Sequence, residues 1–285
     1  MTTSVIHLLR SRPVLWDGAM GTILHNKISR ISCYDYLNIS HPDIVAAIHK
    51  DYIQAGAQII QTNSFGANRL QLRNLGLEHH LEDTNIAAVK LAKTAATSNS
   101  LIAGTIGPVA STTTAHELFE CFLEQANILA EEGVDLLVIE TMWDVHQAET
   151  AVKAAASIKL PVICTVTFEL DLRARDGALP AEAARRLLGA GSFGIGINCG
   201  YGPEHALAIL KKTAPAAKGH SILVQPNAGV PTTKTLAYDS PDKLAEYALK
   251  YLAAGATMIG GCCGTSPAHI KAIKTVLTEY AREQL

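Results

Sequence analysis

Short apolar runs recur along the chain at residues 14–16, 58–61, 101–104, 136–139, 162–166, 194–197, 222–224 and 258–259. Their nearly unbroken apolar character suits parallel strands covered on both faces. Between them lie stretches with the 3.6-residue period of amphipathic helices, at 41–55, 83–96, 117–132, 145–158, 180–188, 203–213, 241–254 and 267–283. The first of these has Ser40 as a candidate N-cap, Pro42 in its first turn and Gly56 as a C-cap; four others open with proline at or near their start. Eight strand–helix units, repeating at roughly 35-residue intervals, predict an α/β chain closed into a single-domain (β/α)8 TIM barrel over residues 1–285. An open doubly wound sheet is the rival, but it has no need of eight evenly repeated units.

Composition narrows the class of function. Hydrophobic residues make up 48% of the 285 positions and the formal charge is −2, so the chain has ample core and no basic excess to attract nucleic acid or an anionic membrane. No apolar run approaches the roughly 18–20 residues of a membrane span, and the N-terminal residues lack a charged segment followed by an apolar one. The expectation is a soluble cytoplasmic enzyme. The segment Gly189-Ala190-Gly191-Ser192-Phe193-Gly194 matches a dinucleotide fingerprint but lies after a helix and before a strand, the reverse of what phosphate capture requires.

Six cysteines are present. Cys121 in a helical stretch and Cys164 in an apolar run read as small core residues, and Cys33 falls in a polar loop. The other three stand in glycine-rich turns just past apolar runs: Asn198-Cys199-Gly200 and Gly260-Gly261-Cys262-Cys263-Gly264-Thr265. In a barrel of this kind the C-terminal strand ends share one mouth, so Cys199, Cys262 and Cys263 are placed to close around one soft metal ion, with the fourth tetrahedral position left for water or substrate. The alternatives are three buried free thiols or a vicinal disulfide. Three thiolates on Zn(2+) make a poor Lewis acid for hydrolysis but suit activation of a substrate thiol, and none of the eleven histidines falls at a strand end. The strand ends also deliver Asp17 and Glu140. These acids either bind a substrate ammonium group, with amides around Gly18–Gly21 receiving its carboxylate, or hydrogen-bond to backbone amides of the mouth.

The segments D-G-A-M-G-T, Q-T-N-S-F-G-A-N, G-T-I-G-P, I-E-T, I-N-C-G and G-G-C-C-G-T occur in the order seen in the homocysteine S-methyltransferase family, which the chain resembles from about Val14 to Ile273. The stretch Cys33-Tyr34-Asp35-Tyr36-Leu37-Asn38-Ile39-Ser40-His41-Pro42 looks most like the N-terminal half of bacterial bifunctional homocysteine S-methyltransferase/methylenetetrahydrofolate reductases. The homocysteine domain of cobalamin-dependent methionine synthase is similar too. The resemblance implies a zinc-bearing barrel that methylates L-homocysteine to methionine. It implies Cys199, Cys262 and Cys263 as zinc ligands, and Asp17 and Glu140 as the acids holding the amino group. Asn63 and the turn Gly18, Ala19, Met20 would be neighbouring substrate-binding segments. The 285 residues hold nothing resembling the folate-binding, cobalamin-binding or reductase domains of larger relatives. The methyl donor stays open between S-methylmethionine or S-adenosylmethionine, methyltetrahydrofolate, betaine and a methylcorrinoid on another protein. Two other expectations remain: a component that works only with a corrinoid or reductase protein, and a purely structural or storage zinc site.

Overall fold

The computed structural model describes residues 2–10, 13–110, 113–229 and 238–283. Eight strands, β1 (Val14–Leu15), β2 (Ile59–Gln61), β3 (Leu101–Ile106), β4 (Leu136–Met142), β5 (Val162–Val166), β6 (Gly194–Cys199), β7 (Ser221–Pro226) and β8 (Met258–Ile259), pair in parallel in the order β1-β8-β7-β6-β5-β4-β3-β2. The remaining seam between β1 and β2 closes through a Trp16–Ile59 bridge and two backbone hydrogen bonds, Gln58 N to Leu15 O at 2.8 Å and Asp17 N to Ile59 O at 3.0 Å. The single-domain (β/α)8 TIM barrel expected from the repeat is the observed fold.

Strand periodicity explains why one end carries chemistry. Alternate residues of a strand face the barrel axis. One alternate set, Val14 and Trp16, Ile59, Ala103, Leu136 and Val138, Ile163, Leu223 and Met258, forms a fully buried apolar plug low in the barrel. The helix Thr2–Arg10 adds Val5 and Leu9 to that plug, and the Leu9 carbonyl accepts from the Ser221 hydroxyl at 2.9 Å. Two residues further along each strand, the same alternation brings Gln61, Thr105, Glu140, Thr165 and Gln225 to the axis. The interior therefore grades from apolar at the bottom to polar at the mouth. The other alternate set packs outward against the helical ring, with Leu15, Ile60, Leu137, Ile139, Cys164, Ile197 and Val224 in the main core.

The apolar runs mark all eight strands but end several of them too early. Pairing continues through Ile106, Met142, Cys199 and Pro226, so Glu140 and Cys199 belong to strands rather than to the turns after them. A second correction concerns Ser40. It ends a short helix, Leu37–Ser40, and the following helix Pro42–Ala55 starts from His41 with no side-chain cap, while Gly56 closes it in the left-handed region at φ 104° as expected. Helices Gly21–Lys27 and Arg69–Asn74 are further elements that the period missed. No helix among the described residues is long and apolar enough to cross a membrane.

Candidate active site

A cavity of about 260 Å³ opens at the C-terminal ends of the strands. Its walls include Asp17, Gly18, Ala19, Met20, Asn63, Glu140, Cys199, Cys262 and Cys263, so every candidate site residue lies on one chamber. Tyr34, Asp35, Gln61, Phe65 and Thr141 also line it.

The cysteine geometry follows from strand order. β7 lies between β6 and β8, and its polar end clamps both cysteine loops. Asn227 Nδ2 donates to the Gly200 carbonyl at 2.7 Å, the Ala228 amide to Cys263 O at 2.9 Å, and the Cys262 amide to Pro226 O at 2.9 Å. Cys199 itself sits at φ 58°, a left-handed conformation that costs a non-glycine residue on the order of 1–2 kcal/mol and turns its side chain out of the strand alternation. The three sulfurs lie within 4.8 Å of one another, with Cys199 Sγ 3.1 Å from Cys262 Sγ and 3.8 Å from Cys263 Sγ. All three are free thiols in this structure, with no disulfide between Cys262 and Cys263. A tetrahedral ion with metal–sulfur bonds of about 2.3 Å sets its ligands about 3.8 Å apart. The longer contact already matches that spacing, and the shorter one needs to open by roughly 0.7 Å. The donor set therefore fits a soft metal ion. Hydrogen bonds from Cys199 and Cys262 hold the Cys263 thiol well below the ordinary thiol range, while the contact with Cys199, and then that with Cys263, pushes Cys262 up, so one of the three gives up its proton first.

Thr265 joins the cysteine loop to the turn after β1. Its hydroxyl donates to Cys262 O at 2.7 Å and accepts the Ala19 amide at 3.0 Å. The space around it demands two glycines: a Cβ on Gly18 would stand 2.6 Å from Thr265 Oγ1, and one on Gly261 would stand 2.5 Å from it. Tyr52 completes the clamp by donating to Ala19 O at 2.7 Å. The expected amide cradle is thus smaller than the sequence suggests. The Ala19 amide is engaged, whereas the Gly18, Met20 and Gly21 amides meet no acceptor among the described residues. Asn63 lines the same cavity and is held by neighbours. Its amide donates to Tyr34 O at 2.9 Å and Asn38 Oδ1 at 3.0 Å, which fixes the Tyr34 loop over the cavity.

Asp17 is buried and Glu140 half-buried in a cavity whose lining contains a third acid, Asp35, and, among the described residues, no lysine or arginine. Burial raises Asp17 well above the carboxylate range and Glu140 to about 7; Asp35 rises to about 6 for the same reason. Asp17 Oδ2 accepts the Gln61 amide at 2.7 Å, while its Oδ1 is buried without any donor. An unpaired buried carboxylate oxygen is costly in isolation and marks where a cation is wanted. Thr141, next to Glu140, is also left-handed at φ 58° and is pinned by Asn198, whose Oδ1 accepts the Thr141 amide at 3.0 Å and whose Nδ2 donates to the Thr141 hydroxyl at 2.6 Å. One asparagine thereby ties the acid-bearing strand to the cysteine-bearing one.

A closed parallel barrel thus carries, in one cavity at its mouth, a cluster of three thiols that could hold a metal ion and two acids, Asp17 and Glu140. The chain matches the homocysteine S-methyltransferase family over residues 14–277, and it belongs to that family. Among curated proteins it is 28% identical to methionine synthase of Mycobacterium tuberculosis over 99% of this chain and 29% identical to methionine synthase of Mycobacterium leprae over 95%. It spans only 26% and 25% of those two proteins, about a quarter of their length. Among solved structures, the metallated form of the homocysteine methyltransferase MmuM from Escherichia coli superposes with a TM-score of 0.82 at 24% identity, covering 95% of this chain and 98% of that one. The apo form of the same protein gives 0.73 at 25% identity, covering 93% and 96%.

Proposed function

We propose that this protein transfers a methyl group to the sulfur of L-homocysteine to give methionine, with Zn(2+) held by Cys199, Cys262 and Cys263. The observation that carries the proposal is the conjunction, in one cavity, of three thiols within 4.8 Å and a buried carboxylate oxygen with no partner. A thiol acceptor bearing an ammonium group satisfies both.

Zinc, when bound by three thiolates, promotes loss of the acceptor's thiol proton at neutral pH while leaving its sulfur nucleophilic. The protein's own residues do the rest. Asp17 and Glu140 hold the ammonium group, and the amides of Gly18, Met20 and Gly21 face the carboxylate, with the Ala19 carbonyl and amide anchored by Tyr52 and Thr265. Asn63 keeps the Tyr34 loop in place over the chamber. The acceptor sulfur then forms its bond to the methyl carbon as the donor's bond to that carbon breaks, the electron pair leaving with the donor. Orientation of the two reacting atoms at about 3–3.5 Å is the main service such a site provides.

The donor is inferred from charge. Among the described residues, Asp17, Asp35 and Glu140 line the cavity with no compensating lysine or arginine, which favours a cationic sulfonium such as S-methylmethionine or S-adenosylmethionine over an anionic folate. A second function is favoured by the length of the curated relatives: the acceptor-binding part, residues 1–285, of a larger cytoplasmic system that takes its methyl group from methyltetrahydrofolate or a corrinoid on another protein. The test is methionine formation from homocysteine against a panel of these donors, with zinc quantified in parallel. Turnover with a sulfonium and no partner protein supports the first function. Turnover only with a methylcorrinoid protein selects the second, and no methionine with any donor refutes both.

A further inference from the structure

Two acids sharing a buried cavity repel each other, and without help one would stay protonated or turn away. A single residue on β2 stands between them. The Gln61 backbone amide donates to Asp17 Oδ2 at 2.7 Å, and its side-chain Nε2 donates to Glu140 Oε2 at 2.6 Å. Its Oε1 accepts from Gln225 Nε2 at 2.6 Å, reaching across the barrel from β7. This last contact sets the sense of the chain of amides. With Gln61 Oε1 engaged by Gln225, Gln61 can present only N–H to Glu140, the group an ionised carboxylate requires. One oxygen of each acid is thereby occupied, and Asp17 Oδ1 is left buried and unpaired, while no donor among the described residues meets Glu140 Oε1.

From this geometry we infer that Gln61, oriented by Gln225, is the positioning residue that makes the Asp17–Glu140 pair selective for an amino-bearing thiol. The inference rests on the acceptor-binding function proposed above. Gln61 touches neither sulfur nor methyl group in this arrangement. It acts by giving each acid one N–H, which favours the ionised form against the burial that raises both, and by aiming their remaining oxygens at one point. Charge-assisted hydrogen bonds of this kind are the strong ones, and losing one weakens what depends on it by about tenfold or more.

The test compares binding of homocysteine and of its deamino analogue 4-mercaptobutyrate to the zinc-loaded protein by titration calorimetry. The wild-type protein should prefer homocysteine, and Gln61→Met, similar in length but unable to donate from its side chain, should reduce that preference by about tenfold or more. Gln225→Leu, which leaves Gln61 Nε2 within reach of Glu140, should reduce it by a smaller factor. This second variant keeps the inference testable if Gln61→Met folds poorly. An equal loss of affinity for both thiols, or an unchanged preference in both variants, overturns the inference. Failure of the wild type to bind either thiol overturns the proposed function instead, and this inference with it.

Discussion

Thr265 should couple the stability of the substrate turn to that of the cysteine loop, and the coupling can be measured. Thr265→Ala removes the hydroxyl that accepts the Ala19 amide and donates to Cys262 O. Cys262 O keeps the Thr265 backbone amide at 3.1 Å, so the main loss is one buried N–H without a partner, about 1–3 kcal/mol, plus roughly 1 kcal/mol for a buried methyl group. Unfolding entropy of about 2.1 cal/mol/K per residue over 285 residues is near 0.6 kcal/mol/K, so the melting temperature should fall by about 3–7 °C. Gly18→Ala acts on the same point from the other side, since its Cβ would lie 2.6 Å from Thr265 Oγ1 and 2.9 Å from the Tyr52 hydroxyl. In the Thr265→Ala background the nearer obstruction is gone, so Gly18→Ala should cost less there than in the wild type, with a coupling of about 1 kcal/mol or more. The assay is thermal or urea unfolding of the four proteins, with zinc retention against a competing chelator measured alongside. Additivity within about 0.5 kcal/mol would show that Thr265 does not join the two loops, and the account of the clamp would fail.

Other predictions concern the metal and pH. Cys262→Ser and Cys199→Ala should lose zinc and methyl transfer together while the far-ultraviolet circular dichroism stays that of the wild type; full activity in a zinc-free variant would contradict the assignment. His49 is fully buried with neither ring nitrogen partnered, and burial lowers it from 6.5 to about 4. The unfolded chain binds that proton between pH 6.5 and 4 and the native one does not, so stability should fall by up to about 3 kcal/mol as pH drops through this window. His49→Leu should flatten that slope in urea titrations at pH 5 and pH 8, and an unchanged slope would refute the cause. Asp35 has the opposite sign. Burial raises it from 3.8 to about 6, so its stabilising contribution is complete at low pH and lost as pH rises through 6. Asp35→Asn should therefore raise the melting temperature at pH 8 and leave it nearly unchanged at pH 4.

How much of this was legible beforehand depended on what kind of signal each residue gives. The cysteine trio could be read because thiols between glycines at strand ends have little packing value, and the acids because a carboxylate directly after an apolar run needs a reason. The barrel followed from eight apolar runs, which persist because both strand faces are covered. The strand ends were set too short because pairing continues into polar residues that face the axis, as Glu140 and Cys199 do. Gln61 was seen only as the last residue of a run. An amide carries no charge or nucleophile to draw attention, yet its place two residues after the buried Ile59, matched by Gln225 two after Leu223, was a usable sign that both face the mouth. Helices Gly21–Lys27 and Arg69–Asn74 are too short for a period of 3.6 to stand out. The helix Thr2–Arg10 lies outside the strand–helix repeat, and its purpose, capping the bottom of the barrel with Val5 and Leu9, depends on contacts across the whole chain. The engagement of Ala19 by Thr265, 246 positions away, is of the same kind.

The most direct test of the central claim is zinc X-ray absorption of the purified protein with and without L-homocysteine. Three sulfur ligands in the free protein and four in its presence, with bond lengths near 2.3 Å, are the expected result. A sulfur number that does not change on adding homocysteine, or zinc that stays bound when Cys199, Cys262 and Cys263 are all replaced, would contradict it.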